Sequence, residues 1–304
     1  MSRDVSVAIL ADVHGILPAF EAVAADVEAQ APDRVIVSGD MVNRGPQSPE
    51  VLDAIHARGW EMLLGNHDDL LLMWTRRDPA LPAGWFDDPF WASTAWCAAQ
   101  VDAAGWGPTL AGLPMTTRIV EDDLPAVLVA HGSPRHYREG YGRHLSDAAI
   151  SEIVEMHPYE VLVGSHTHIQ MERRWGHHLV LNSGAVGTPF DGDARAQYLM
   201  LHGEGGRWRP EFRRVAYDRA AALEAFATSG YLGEAGLSAR LYQAEVAVAR
   251  SLLVPFQMWS ETHDEPRDEA AWHRFRRTVG RSLRAPDEAG AAAVEASGLA
   301  TDDG

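Results

Sequence analysis

The chain is poor in cysteine, in positive charge and in long apolar runs. Its 304 residues include one cysteine, Cys97. No intrachain disulfide can form, and no thiolate cage can hold a metal. Cys97 reads as a small buried hydrophobe. Acidic residues outnumber basic ones 43 to 26, for a formal net charge of −17. Such a field repels long nucleic acids and anionic membrane surfaces. Bound cations can reverse it locally, so small anionic ligands stay open as partners. No apolar run approaches the ~20 residues that span a bilayer. Met1 to Asp4 lead directly into a strand-like segment, without a stretch of signal type. A cytoplasmic, reduced setting is the expectation. No membrane and no long nucleic acid are expected as partners, and a homo-oligomer is left open.

What is present is a core. Apolar residues make up 46% of the chain, enough for one large domain or a domain with an appendage. Five short runs, Val5–Ala11, Arg34–Ser38, Glu61–Leu64, Ala126–Ala130 and Glu160–Val163, are rich in Val, Ile or Leu and do not alternate with polar residues. Strands buried on both faces read this way. Helix-like stretches, Ile16–Ala29 and Ser48–Arg58, separate the first three, which predicts parallel pairing through crossovers. Gln170–Trp175 with His178–Leu181, and Gln197–His202 with Trp208–Tyr217, predict two hairpins. The predicted fold class is α/β: a two-sheet β-sandwich with flanking helices, in α/β/β/α layers.

The catalytic-type domain is predicted over residues 1–217, with a helical insertion at about 69–115 that carries Trp74, Trp85, Trp91, Trp96 and Trp106. That insertion either borders the active site or is ordinary outer packing. A helical extension is predicted over 218–285, packing on the same chain or on a partner. The Ala/Gly-rich acidic tail, 286–304, reads as disordered.

The residues just past each buried run carry the chemistry. The first run ends in Asp12-Val13-His14, the second in Gly39-Asp40 and the third in Gly65-Asn66-His67-Asp68. The fourth ends in His131-Gly132 and the fifth in Gly164-Ser165-His166-Thr167-His168. Five strands thus each deliver a metal-capable residue at the C-terminal edge, where open α/β sheets bind ligands. Asp, His and Asn without thiolates suit Mn first, and also Fe, Zn, Co or Ni. A two-metal hydrolase needs a carboxylate that bridges ions about 3.5–4 Å apart. Asp40, central in chain order, is the natural bridge. Singly each match is weak; their conjunction in this order is what counts.

Together these segments resemble the calcineurin-like metallophosphoesterase superfamily, from about Val5 to about Tyr217. Asn182-Ser183-Gly184-Ala185-Val186-Gly187, with Asp191-Gly192-Asp193-Ala194-Arg195, is similar to the closing motif of its small bacterial and archaeal phosphodiesterase branch. Gly39-Asp40-Met41-Val42-Asn43-Arg44-Gly45 resembles the arginine-bearing motif of the protein-phosphatase and dinucleoside-tetraphosphatase branch. Asn43 stands where protein phosphatases usually carry Asp. Ser165 separates Gly164 from the first His. Ser183 and Ala185 replace the usual Pro and Ser.

The resemblance implies two divalent ions, one on Asp12, His14 and His168, the other on Asn66, His131 and His166, bridged by Asp40. A water or hydroxide between them is expected to attack phosphorus in line. His67 is expected to protonate the leaving oxygen or stabilise its charge, with Asp68 orienting its ring. Arg44 matches a phosphate with two parallel hydrogen bonds, or else makes a surface salt bridge. The locally basic stretch around Arg135 and His136 is expected either to grip the substrate's second phosphate or leaving group or to be a solvated loop. Phosphodiester hydrolysis of small organic or nucleotide substrates is the first reading. A phosphomonoesterase, either a protein phosphatase or a dinucleoside polyphosphate hydrolase, is the alternative. A non-catalytic scaffold is third, because such proteins tend to lose ligands and all seven are present.

Overall fold

The computed structural model describes residues 4–279 and 283–299. In the first sheet β1 (Val5–Leu10), β2 (Arg34–Val37) and β3 (Glu61–Met62) run parallel, joined by α1 (Leu17–Gln30) and α2 (Ser48–Ala57). In the second, β4 (Thr116–Ile119) pairs antiparallel with β5 (Val127–Ala130), which runs parallel to β6 (Val161–Gly164). The hairpin of β7 (Met171–Trp175) and β8 (His178–Asn182) completes that sheet, with β8 parallel to β6. The long hairpin of β9 (Ala196–Glu204) and β10 (Arg207–Val215) returns to the first sheet against β1. The sheet orders are β10-β9-β1-β2-β3 and β4-β5-β6-β8-β7.

The non-alternating runs are explained by burial on both sides. Val7 and Ile9 of β1 face between the sheets, with Val127, Val129, Val161, Val163, Leu179 and Leu181 opposite. Ala8 and Leu10 of the same strand face outward under α1 and α2. On the far side Leu128, Leu162 and Val180 lie under α6 (Asp147–Met156). The α/β/β/α layering follows, because the central strands of both sheets are covered on both faces, while the edge strands β7 and β10 keep exposed residues such as Arg174 and Arg209.

The stretch after β3 is helical: α3 (Asn66–Thr75), two short 3-10 turns, α4 (Ala92–Ala103) and α5 (Gly107–Ala111). Trp74 and Trp85 pack on Trp91, with Trp85 stacked at 3.8 Å between ring centres, while Trp96 meets Tyr231 and Trp106 meets His56. The extension comprises α7 (Arg219–Thr228), α8 (Tyr231–Val248), α9 (Leu253–His263), α10 (Glu269–Val279) and α11 (Glu288–Ala296). Phe226, Tyr231, Leu241, Phe256, Trp272 and Phe275 join the same apolar cluster as the outer face of β1, so the extension packs on its own chain. Gly236 kinks α8 at φ 58°, ψ −135°, a conformation open to glycine.

The tail expectation needs correction. Within 286–304, residues 288–296 form α11, and Ala293, Val294 and Leu299 are buried. The Asp287 carboxylate caps the helix by accepting the Gly290 N–H at 2.8 Å. Large apolar side chains are few in that stretch, but Ala293 and Val294 are buried and the helix packs against α7 and α8. Residues 300–304 of the expected tail, and 280–282 of the expected helical extension, lie outside the described residues.

Candidate metal centre

Each strand end turns sharply, and the backbone shows it. Asp12, His14, Asp40, Asn43, Arg44, His166 and His168 all have φ between 50° and 70°. Left-handed backbone costs a non-glycine residue about 1–3 kcal/mol and persists only where the surroundings enforce it. Here they do. His14 N–H donates to the Asp40 carbonyl (3.0 Å), Ser165 N–H to the His131 carbonyl (2.7 Å) and Gly187 N–H to the Asp12 carbonyl (2.9 Å). The strand tips of both sheets are thereby stitched into one floor.

Two groups of donors face each other there: Asp12, His14 and His168, and beside them Asp40, His131 and His166. Asp40 Oδ2 lies 3.3 Å from His131 Nε2 and 3.7 Å from His14 Nε2, so it belongs to both. Asn66 Oδ1 lies 3.1 Å from His131 Nε2. All seven residues expected to be ligands are brought together.

The donor set fits divalent cations on grounds internal to the structure. Each carboxylate has one oxygen held and one not. Asp12 Oδ2 accepts the His166 N–H and Asp40 Oδ1 accepts the His67 N–H, whereas Asp12 Oδ1 and Asp40 Oδ2 are buried without a hydrogen-bond partner. Burying an unpaired carboxylate oxygen is costly unless a cation answers it. The imidazoles are oriented in the same sense. The Nδ1 atoms of His14, His131 and His168 meet the carbonyls of Val42 (3.2 Å), Ser38 (2.9 Å) and Thr188 (2.6 Å). A carbonyl only accepts, so each Nδ1 carries a proton and Nε2 points inward as a ligand atom. His14 and His168 bring their Nε2 atoms to 3.3 Å of one another. Two lone pairs at that distance repel unless a positive charge lies between them.

Without a metal, a proton on His131 Nε2 stands in for the cation beside Asp40 Oδ2, 3.3 Å away. Burial pushes Asp40 up, but His131 and His67 outweigh it and hold the carboxyl well below its usual range. Burial pulls His131 down, yet the Asp40 and Asp12 charges raise it to about 9. Burial and the Arg44 charge hold His14 well below its ordinary value, and burial with the His131 charge takes His166 to about 4.

Two of the departures noted in the sequence, Ser165 and Ser183, meet each other. Ser165 Oγ lies 2.9 Å from both Ser38 Oγ and Ser183 Oγ, a buried hydroxyl chain joining the sheets beneath the site.

His67 is partly buried at the first turn of α3, edge-on to His14 at 4.9 Å between ring centres. Its expected partner, Asp68, does not orient it. The Asp68 carboxylate instead accepts N–H bonds from Asp40 (2.8 Å), Met41 (3.0 Å), Val42 (3.3 Å) and Gly65 (2.8 Å). One helical step turns Asp68 inward under the Asp40 loop while His67 faces the site. Burial and the Asp40 charge push Asp68 up to about 7. The backbone N–H bonds to its two oxygens act in the opposite sense and favour the charged form. The residue that does meet the ring is Asn43, with Nδ2 at 2.9 Å from His67 Nδ1. Sequence reading registered Asn43 only as a departure, though its place beside Arg44 in a tight turn was a usable signal.

Arg44 does not lie on the surface. The residue is 7% exposed, and its guanidinium reaches His67 Nε2 from Nη2 (3.2 Å) and pairs through Nη1 with Glu245 (3.2 Å). The insertion borders this turn, with Cys97 Sγ 3.6 Å from the Gly45 carbonyl. Burial raises that thiol to about 12, so it is inert. The stretch after His131 is less basic than its sequence. Arg135 is paired with both Glu139 and Glu152, and His136 is exposed, its Nδ1 accepting the Arg138 N–H. A substrate phosphate would compete with two carboxylates for Arg135. Sequence reading also missed Phe190, stacked on His168 at 4.3 Å.

A two-layer sheet edge with paired His/Asp clusters is the architecture of a metallophosphoesterase. The family model for calcineurin-like phosphoesterases matches residues 5–170, and the chain belongs to that family. It is similar to a metallophosphoesterase from Sphaerobacter thermophilus, at 25% identity and a TM-score of 0.63, over 81% of this chain and 100% of that one. It also resembles in fold a hypothetical protein from Pyrococcus horikoshii OT3, at 20% identity and a TM-score of 0.61, over 76% of this chain and 96% of that one. No curated protein matches this chain. Among the described residues no helix is long and apolar enough to cross a membrane.

Proposed function

We propose that this chain hydrolyses phosphodiester bonds of small organic or nucleotide substrates with two divalent cations, manganese foremost. In this reading Asp12, His14 and His168 hold one cation, Asn66, His131 and His166 the other, and Asp40 serves both. The observation that carries it is the unpaired, buried Asp40 Oδ2 lying between His14 Nε2 and His131 Nε2. When bound, the ions would supply Lewis acidity toward the phosphoryl oxygens and acidify a water toward neutrality.

The protein's own part is to orient and to move a proton. Arg44 binds a non-bridging phosphoryl oxygen through its remaining N–H groups. His67 faces N–H donors on both ring nitrogens, from Arg44 and from Asn43. A neutral ring accepts at only one nitrogen, so one contact is weak from the outset. Burial and the Arg44 charge keep the ring well below its ordinary pKa. Substrate phosphate draws Arg44 away from Nε2 and adds negative charge beside the ring. Both changes favour a proton at Nε2, placed to pass to the leaving oxygen.

Arg44 also supports a second reading, a phosphomonoesterase or dinucleoside polyphosphate hydrolase, since its fork suits a more highly charged terminal phosphate. Metal analysis after manganese supplementation, with rates on an aryl phosphodiester and an aryl phosphomonoester, separates the two. Two ions per chain and faster diester hydrolysis are expected. Faster monoester hydrolysis moves the assignment to the second reading. A protein that takes up no metal and hydrolyses neither ester is a scaffold.

A further inference from the structure

We infer that Glu245, on α8 of the C-terminal extension, is a positioning residue that sets where the Arg44–His67 pair stands. The inference rests on the roles proposed for Arg44 and His67. Glu245 lies beyond residues 5–170, the span matched by the family model. It is a lone carboxylate in the apolar run from Ala244 to Val248 and is 0% exposed.

Each of its oxygens has a separate task. Oε1 accepts the N–H groups of Leu252 (2.6 Å) and Leu253 (2.9 Å), at the start of α9, a helix with no capping side chain of its own. Oε2 meets Arg44 Nη1 at 3.2 Å. One end of the carboxylate is therefore fixed to backbone, and the other fixes the guanidinium. Two neighbours from the same helix complete the grip. The Tyr242 ring lies 5.4 Å from Arg44 Cζ, and the Tyr231 hydroxyl donates to the Arg44 carbonyl at 3.0 Å. The contacts of the Arg44 guanidinium come from other elements: Glu245 and Tyr242 on α8, His67 on α3 and the Phe190 ring at 5.9 Å. Held by Glu245, the remaining N–H groups reach His67 Nε2. The extension thus supplies the ionic wall behind the phosphate-handling side of the site.

Glu245→Gln keeps Oε1 for the α9 amides and removes the charge facing Arg44. Its stability falls whether or not the role is positional, because Arg44 loses a buried counter-charge. The decisive readout is coupling. The metal-loaded full chain is compared as wild type, E245Q, R44A and the double variant, on the better of the two aryl esters. E245Q is expected to retain wild-type metal content and to lose on the order of tenfold or more in kcat/KM. The double variant is expected to match R44A, because the two residues act as one unit. Losses that multiply, or wild-type kcat/KM in E245Q, overturn the inference.

A second measurement does not need turnover. In the zinc-loaded, 15N-histidine-labelled protein, the His67 ring nitrogens should shift in E245Q in the same direction as in R44A. An unmoved His67 signal overturns the inference. If wild type hydrolyses neither ester, or R44A is fully active, the proposed function fails while the His67 spectrum still decides the role of Glu245.

Discussion

At the scale of single residues, the site is defined by which atom of each side chain is already occupied. Asp12 and Asp40 each spend one oxygen on a backbone N–H and turn the other inward. Asp40→Asn should therefore abolish uptake of both ions, because the amide adds donors where Oδ2 now faces two imidazoles; elemental analysis of the purified variant checks this. His67→Ala should keep both ions and lose about 10²- to 10⁴-fold in kcat, the span of general acid–base catalysis. Loss of metal in that variant would contradict the separation of roles. The pH dependence has a definite sign. With His131 raised to about 9, the metal-free protein carries a proton on it at neutral pH, and a cation must displace that proton. Affinity should rise with pH from 7 toward 9, by up to about tenfold per unit, with net proton release. Manganese titration calorimetry in two buffers of different ionisation enthalpy measures it; a pH-independent affinity would refute it.

At the scale of elements, strand tips and the turns after them do the positioning. The turn from β3 into α3 is one of the most crowded. A Cβ on Gly65 would be driven into the backbone N and Oδ1 of Asp40, neither of which can move without losing its bond to Asp68 or His67. Gly65→Ala should lower the melting temperature and the metal stoichiometry together, whereas Gly59→Ala, in open space, should leave the stoichiometry unchanged. The tips were legible from sequence because a residue just past a buried strand must emerge at its end. Asn66, His131 and His166 needed no tertiary information to be singled out. Other elements were hidden. β4 is a four-residue edge strand with one buried side chain, Ile119, and α6 carries only Ile150, Ile153 and Val154 toward the core. Such short patterns are ambiguous between strand, helix and loop.

At the scale of the whole molecule, catalytic layers and extension share one apolar cluster. The six large side chains that α7 to α10 contribute are each worth about 1.5–3 kcal/mol on burial. Their sum rivals the ~5–15 kcal/mol by which a domain is stable. A chain ending at Tyr217 should therefore be recovered as aggregate, or melt far below the full protein, by size-exclusion chromatography and circular dichroism. A soluble, metal-binding fragment would show that the extension is an accessory.

Local sequence determined the donor types, their attachment to five strand ends and the burial of those strands on both faces, because each depends only on composition and on the order of residues along the chain. Tertiary structure decided who meets whom. Asp68 holds the Asp40 loop instead of turning His67, Asn43 lies against that ring, and Glu245 reaches Arg44 across 201 positions. Periodicity records that a face is buried but not against which neighbour, so partners brought together by packing leave no local trace.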